Sequence, residues 1–125
     1  MGKRKSPEQI ADEERRYARA RSARTPEDFA QLALDPNQGI RAVAAMNPAA
    51  DEAALTRFAS DRFWGVRIEV AKHANATRAI LLELLEFDPP RRGVVHHAAK
   101  ERLIAEGVRF DDDGIPLVGD GPPGA

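Results

Sequence analysis

The chain has no cysteine, which removes disulfides, thiolate zinc sites, cysteine-held clusters and a cysteine nucleophile. Aromatic residues make up only 6% of it, with one tryptophan and one tyrosine. A core must therefore be built from alanine and aliphatic side chains, and interleaved rings for stacking on single-stranded bases are missing. Neither charge sign prevails: 19 Lys and Arg against 20 Asp and Glu leave a net −1, so no global field draws the chain to nucleic acid or a membrane. Its apolar runs fall far short of the ~20 residues of a membrane span. Met1-Gly2-Lys3-Arg4-Lys5 is basic but no apolar stretch follows it, so it does not read as a signal peptide and a cytoplasmic location is expected. No serine or threonine sits in a nucleophile motif, and neither a glycine-rich loop after a strand nor a carboxylate pair stands out. The sequence thus reads as non-enzymatic, with no cofactor and no metal. At 125 residues it has room for one domain.

What is present is a repeat. Phe29, Leu32 and Ala33 recur as Leu55, Phe58 and Ala59, and again as Leu81, Leu84 and Leu85, each time 26 residues on (55 − 29 and 81 − 55). Thr25, Asp51 and Thr77 keep the same step, four residues before each apolar triplet. A fixed period in this range marks stacked helical units.

Ser6-Pro7-Glu8-Gln9 reads as a helix start with a capping box. The helix it opens has acids early and arginines late, matching the helix dipole. Its apolar stripe is thin, Ile10 and Tyr17, which suits a cap over the end of an array. Thr25-Pro26 starts a helix over 26–34 that Asp35-Pro36 ends. A second helix covers 38–46, with Ile40, Val43 and Ala44 on one face, and stops at Asn47-Pro48. The plan repeats as a helix from Asp51 to Ser60, a turn over 61–65 and a helix over 66–73. A third unit starts at Thr77 and breaks at Asp88-Pro89-Pro90. There the period slips by one residue, and a longer last helix carries Val94 to about Glu106. Beyond Gly107, Val108–Phe110 and Ile115–Val118 read as two short extended pieces around a turn. The closing Gly-Asp-Gly-Pro-Pro-Gly-Ala is too rich in glycine and proline to fold alone. The expected organisation is a basic arm and capping helix over 1–24, a helical array over 25–106 and an extended or disordered tail over 107–125.

The segment Asp35-Pro36-Asn37-Gln38-Gly39-Ile40-Arg41-Ala42-Val43-Ala44-Ala45-Met46-Asn47-Pro48 resembles the variant leucine-rich repeat family. Its repeats run Asp-Pro-x-x-x-Val-Arg-x-x-Val-Ala-x-Asn-Pro-x-Thr before a leucine-bearing helix. Asp61 through Gly65-Val66-Arg67 and Val70-Ala71 form a second copy without the prolines, Ala74-Asn75-Ala76-Thr77 resembles the Asn-Pro-x-Thr step, and Asp88-Pro89 opens a third. The resemblance covers residues 23–100. It implies an all-α chain of paired helices, one of each pair able to be 3₁₀, stacked into an α-α superhelix, that is, a short helical-repeat solenoid. The step of 26 is slightly longer than the family's usual repeat. The cysteine-held iron–sulfur segment of some members has no counterpart here. HEAT-like repeats are the nearest rival, with longer helices than these breaks permit.

Several residues are candidate contacts. Arg41 and Arg67 stand in equivalent places, with Arg91 and Arg92 near the third, and stacking would align them in a row able to grip phosphates or carboxylates. Each can instead pair with acids of the neighbouring repeat and cover apolar surface with its stem. Residues 1–24 hold eight basic and four acidic residues (+4), whereas 25–88 hold six and ten (−4). Arg15, Arg16 and Arg19 with Arg21, Arg24 and the arm could therefore contact nucleic acid. Phe63 and Trp64 are either exposed anchors in a turn or fold back over the groove between repeats. His73, His96 and His97 do not have metal-ligand spacing, and Asp111-Asp112-Asp113-Gly114 lacks the ligand alternation and distal glutamate of a calcium loop. The leading expectation is a non-catalytic module for a protein or peptide partner, with no membrane. The alternative is a nucleic-acid binder using the basic helix and the arginine row. Basic side chains gathered on one face would favour the alternative, and acids interspersed among them would count against it.

Overall fold

Five helix starts, at Ser6, Thr25, Asn37, Asp51 and Thr77, obey one rule: a short polar side chain accepts a backbone N–H that the first turn leaves without a partner. The starts at Phe63 and Gly93 have no such cap. Ser6 and Gln9 close the expected capping box, Gln9 N–H to Ser6 Oγ at 3.1 Å and Ser6 N–H to Gln9 Oε1 at 2.7 Å. Thr25, Asp51 and Thr77 each accept from the residue three further on, at 3.2, 3.0 and 3.3 Å. The 26-residue step of these residues is a step between caps.

The computed structural model describes residues 4–87 and 93–117. Arg91, Arg92 and the closing 119–125 of the sequence lie outside the described residues. The fold is all-α, and the described residues contain seven helices and no strand: α1 Pro7–Ser22, α2 Pro26–Leu32, α3 Gln38–Met46, α4 Glu52–Ala59, α5 Trp64–Lys72, α6 Arg78–Phe87 and α7 Val94–Ala105. All are α-helices, so no member of a pair is 3₁₀. α1, α3, α5 and α7 pack each on the next in one layer, and α2, α4 and α6 form a second layer against them.

Two helices differ in extent from the sequence expectation. α2 stops at Leu32 because Ala33 and Leu34 turn out of it, with Leu34 N–H bonded to the Gln31 carbonyl. The following Asp35 precedes proline, which disfavours helical backbone. α5 begins at Trp64, two residues early. The Asp61 carboxylate accepts the Phe63 N–H at 2.9 Å, as Asp35 accepts Asn37 N–H at 2.8 Å, so both turns close in the same number of residues.

The repeated triplet fills the space between layers: Phe29, Leu32, Leu55, Phe58, Leu81 and Leu84 are all buried. The facing layer contributes Ile40, Val66 and Val95 together with buried alanines 44, 45, 71 and 99, whose small side chains let α3, α5 and α7 approach closely. α1 docks differently from its apolar pattern. Ile10 is half exposed, and contact runs through Tyr17, Ala20 and Ala23. The Tyr17 hydroxyl lies where a Cβ on Gly39 would stand, so that glycine makes room for the tyrosine.

The carboxyl ends of the α1/α3/α5/α7 layer are joined in a chain of caps. Asn47 Nδ2 donates to the carbonyls of Ala20 and Ala23 at 3.0 Å and of Arg21 at 3.3 Å, covering the end of α1. His73 Nε2 then reaches the Asn47 carbonyl at 2.8 Å, and Arg102 donates to the carbonyls of Ala71 and His73. A carbonyl only accepts and the Asn75 N–H bonded to His73 Nδ1 only donates, so the ring carries its proton on Nε2. His73, 26 residues after Asn47, thus occupies the asparagine position. The Asn-Pro-x-Thr step read over Ala74-Asn75-Ala76-Thr77, which puts Ala74 at the asparagine position, is one residue late.

α7 ends in a Schellman turn, with Gly107 at φ +94, Gly107 N–H to the Ile104 carbonyl and Val108 N–H to the Leu103 carbonyl. The segment then doubles back through an antiparallel bridge between Phe110 and Pro116, and Val108 and Phe110 pack on the core. The turn is polar, as expected: Asp111 Oδ1 accepts from Asp113 and Ile115 N–H, and Gly114 takes φ +80.

Replacing Asn47 by alanine orphans the carbonyl end of α1 and should cost about 1–3 kcal/mol in urea unfolding. Asn47→Asp should cost at least as much, because a carboxylate would face three carbonyls. A loss below about 0.5 kcal/mol for both would show that this cap is not what ties α1 to α3.

Candidate functional site

The paired helices place the two central arginines inside, not on a surface. Arg41 is 3% exposed and Arg67 is 7% exposed. Arg41 grips Asp61 of the next unit with two bonds, Nε to Oδ2 at 2.7 Å and Nη2 to Oδ1 at 3.2 Å, while Nη1 donates to the carbonyl of Asp35 at 2.8 Å. Arg67 repeats the second contact one unit later, donating to the Asp61 carbonyl at 2.8 Å. Of the two expectations, an outward row and pairing with acids of the neighbouring repeat, Arg41 takes the second, and with Arg67 it forms an internal ladder and not a surface row. Its physical cause is the desolvation of a cation, which a buried site tolerates only against a carboxylate and satisfied donors.

The ladder extends into α1, which the sequence reading did not anticipate. Arg16 Nη1 bonds Asp35 Oδ1 at 2.6 Å, and Arg16 Nε bonds Asp12 Oδ2 at 2.9 Å. These carboxylates, Asp35 first, raise the Arg16 pKa above its ordinary value. The signal was available: Arg16 precedes Arg41 by 25 residues, one short of the period. On the last unit Val95-His96 takes the buried place of Ile40-Arg41 and Val66-Arg67, so a histidine stands at the arginine position.

The other basic residues of α1 are interspersed with acids. Arg15 lies 3.4 Å from Asp12, and Arg19 contacts Gln31 at 2.6 Å and Asp28 at 3.4 Å. Asp28 titrates below its usual value, chiefly because the Thr25 hydroxyl bonds it. Glu13, held by Lys5 and Asn37, is lowered as well, with the Lys5 hydrogen bond the largest cause. Arg15, Arg16 and Arg19 therefore do not form an uncompensated basic face with Arg41 and Arg67.

Phe63 and Trp64 divide between the two expectations. The Phe63 ring folds back against its own Gly65 and packs on the core, leaving Trp64 53% exposed at the start of α5 with its ring 5.8 Å from that of Phe63. Among the described residues, no group of three or more His, Cys, Asp or Glu is arranged to hold a metal, and no helix is long and apolar enough to cross a membrane.

With those arginines inside, the remaining chemistry lies on other residues. The turns that follow α2 and α4 enclose a groove of about 520 Å³, walled by Ala33, Leu34 and Pro36 on one side and by Arg57, Ser60 and Arg62 on the other. Leu34 is 83% exposed, more than any other large apolar side chain among the described residues. Arg57 and Arg62 are exposed and make no side-chain hydrogen bond or ion pair among the described residues. A second groove of about 370 Å³, lined by Arg21, Val43, Met46 and Pro48, runs between the ends of α1 and α3. The sequence pattern missed Leu34 as a surface residue because it continues the apolar run of α2.

The contrast between the two rings can be measured. Phe63→Ala should lower stability by about 1–3 kcal/mol, the scale for a packed large side chain, and Trp64→Ala by less than about 0.5 kcal/mol. Equal losses would mean that Trp64 is packed rather than presented. Comparisons with protein-family models, with curated proteins and with solved structures found no match, so the reading of this surface rests on its own geometry.

Proposed function

We propose that the chain is a non-catalytic helical-repeat module, a short solenoid of variant leucine-rich repeat type, that mediates protein–protein interaction. The observation that carries this reading is the division of the polar groups. Arg41 at its repeating position, and Asn47 and His73 at theirs, are consumed in joining one helix pair to the next, whereas apolar side chains such as Leu34 and Trp64 stand in solvent at helix ends and turns. Holding such side chains out of the core forgoes about 1.5–3 kcal/mol of burial each, and a partner surface can recover it. Stacked units of this kind present a continuous surface whose contacts are set by residues outside the repeat pattern.

Nucleic-acid binding is the weaker reading, since Asp12, Asp28 and Asp35 lie among the arginines of α1. The two readings separate in nuclease-treated lysate of the source cell. A Leu34→Asp/Trp64→Asp variant that circular dichroism shows to be folded is compared with wild type. A protein retained by wild type, lost by the variant and indifferent to nuclease is the expected outcome. Recovery that disappears with nuclease would overturn the proposal in favour of nucleic acid.

A further inference from the structure

The groove between the turns after α2 and α4 has a chemistry more specific than a general interaction surface. Its two acids are spent: Asp35 accepts from Arg16 and from the Asn37 N–H, and Asp61 from Arg41 and the Phe63 N–H. Those pairs cancel in charge, which leaves on the rim Arg57 and Arg62, neither in an ion pair among the described residues, although Arg57 shares a small adjoining cavity with Asp51. Arg57 occupies the last turn of α4, where the helix dipole already favours a cation, so holding it outward is locally unstrained. Facing these guanidiniums stands the apolar wall of Ala33, Leu34 and Pro36, with Leu34 almost fully in solvent.

We infer that this groove is a docking site for an acidic peptide segment of a partner protein, one that places carboxylates on Arg57 and Arg62 and an apolar side chain on Leu34. This rests on the interaction-module reading above and names its ligand. Guanidinium forks match carboxylates in plane and in hydrogen-bond geometry. A nucleic acid would supply anionic oxygens as well, but it has no aliphatic side chain for Leu34 and Pro36, and no aromatic side chain lines the groove for a base to stack upon. Charge complementarity and the apolar wall together select an acidic segment with an apolar anchor.

The chain carries its own reporter. Trp64 is the only tryptophan, half exposed and two residues beyond Arg62. Its fluorescence can be followed during titration of three probes: a peptide of about twelve residues alternating glutamate with leucine, an all-glutamate peptide of equal length, and a single-stranded oligonucleotide. The first should bind, at least about fivefold more tightly than all-glutamate, and should weaken as salt is raised. Arg57→Glu/Arg62→Glu, both exposed positions, should reduce its affinity by about tenfold or more, and Leu34→Ala should erase the preference over all-glutamate. Arg57→Lys/Arg62→Lys, which keeps the charge but not the planar fork, should fall between wild type and the glutamate variant.

Equal binding of both peptides, or binding unchanged in the glutamate variant, would overturn the inference. Tighter binding of the oligonucleotide would overturn it together with the module reading. The exposed turn at Asp111–Asp113 offers carboxylates too. Self-association in sedimentation that is lost in Arg57→Glu/Arg62→Glu would make a second copy the occupant and overturn the assignment to a separate partner. If no peptide binds while lysate capture still yields a nuclease-resistant protein, with Arg57→Glu/Arg62→Glu as well as wild type, the groove inference fails and the module reading stands.

Discussion

The bidentate bond from Arg41 to Asp61 is the interaction on which the arrangement of the helix pairs depends. Both side chains are almost wholly buried, at 4% and 8% exposure. A charge in that position is acceptable only while its partner stays in place. The third nitrogen of the same guanidinium holds the Asp35 carbonyl of its own unit, and Asp61 at the same time closes the turn that starts α5. One side chain thus sets the turn before it, the turn after it and the spacing between them. Shifting one unit against the next would break both bonds of the Arg41–Asp61 pair together and leave two buried charges without partners. The Arg16–Asp35 bond repeats this link at the amino-terminal side, where α1 has few apolar residues with which to hold on.

The opposite end of the helices uses a different solution to the same requirement. Carbonyls at a helix carboxyl end need donors, and here α1, α3 and α5 each receive them from the next helix of the layer: Asn47, then His73, then Arg102. Three unlike side chains serve because the task asks only for an N–H aimed at carbonyl oxygen. Between these two polar seams lies a core rich in alanine, which gains less from burial per residue than leucine or phenylalanine would. The seams supply the directionality that small apolar side chains lack.

The parts of this fold that rest on local chemistry were legible in the sequence. Thr25, Asp51 and Thr77 cap helices because their oxygens reach a nearby N–H, and Ser6 with Gln9 forms a box for the same reason. The spacing of Phe29, Leu55 and Leu81 gave the buried face directly. The role of Arg41 was legible as one of two alternatives, an outward row or pairing with acids of the neighbouring repeat, but the choice between them was not, since its partner lies 20 residues away and the same pattern suits both. The capping role of His73 was not legible, because histidine and asparagine look unlike as letters although each offers an N–H, to the Asn47 or the Ala20 carbonyl. Leu34 was invisible as a surface residue, because nothing local distinguishes the last leucine of an apolar run from the first residue outside the helix.

The proposed function uses what the seams leave over. Arg41 and Arg67 are committed to the interior, so the proposal assigns recognition to residues that do not repeat, Leu34, Arg57, Arg62 and Trp64, which lie at turns and helix ends. A double-mutant cycle on Arg41→Met and Asp61→Asn, read by urea unfolding, tests the central claim most directly, because asparagine retains an oxygen for the Phe63 N–H while removing the charge. The account requires a coupling energy of about 2 kcal/mol or more between the two positions. Additive losses, with coupling below about 0.5 kcal/mol, would contradict it.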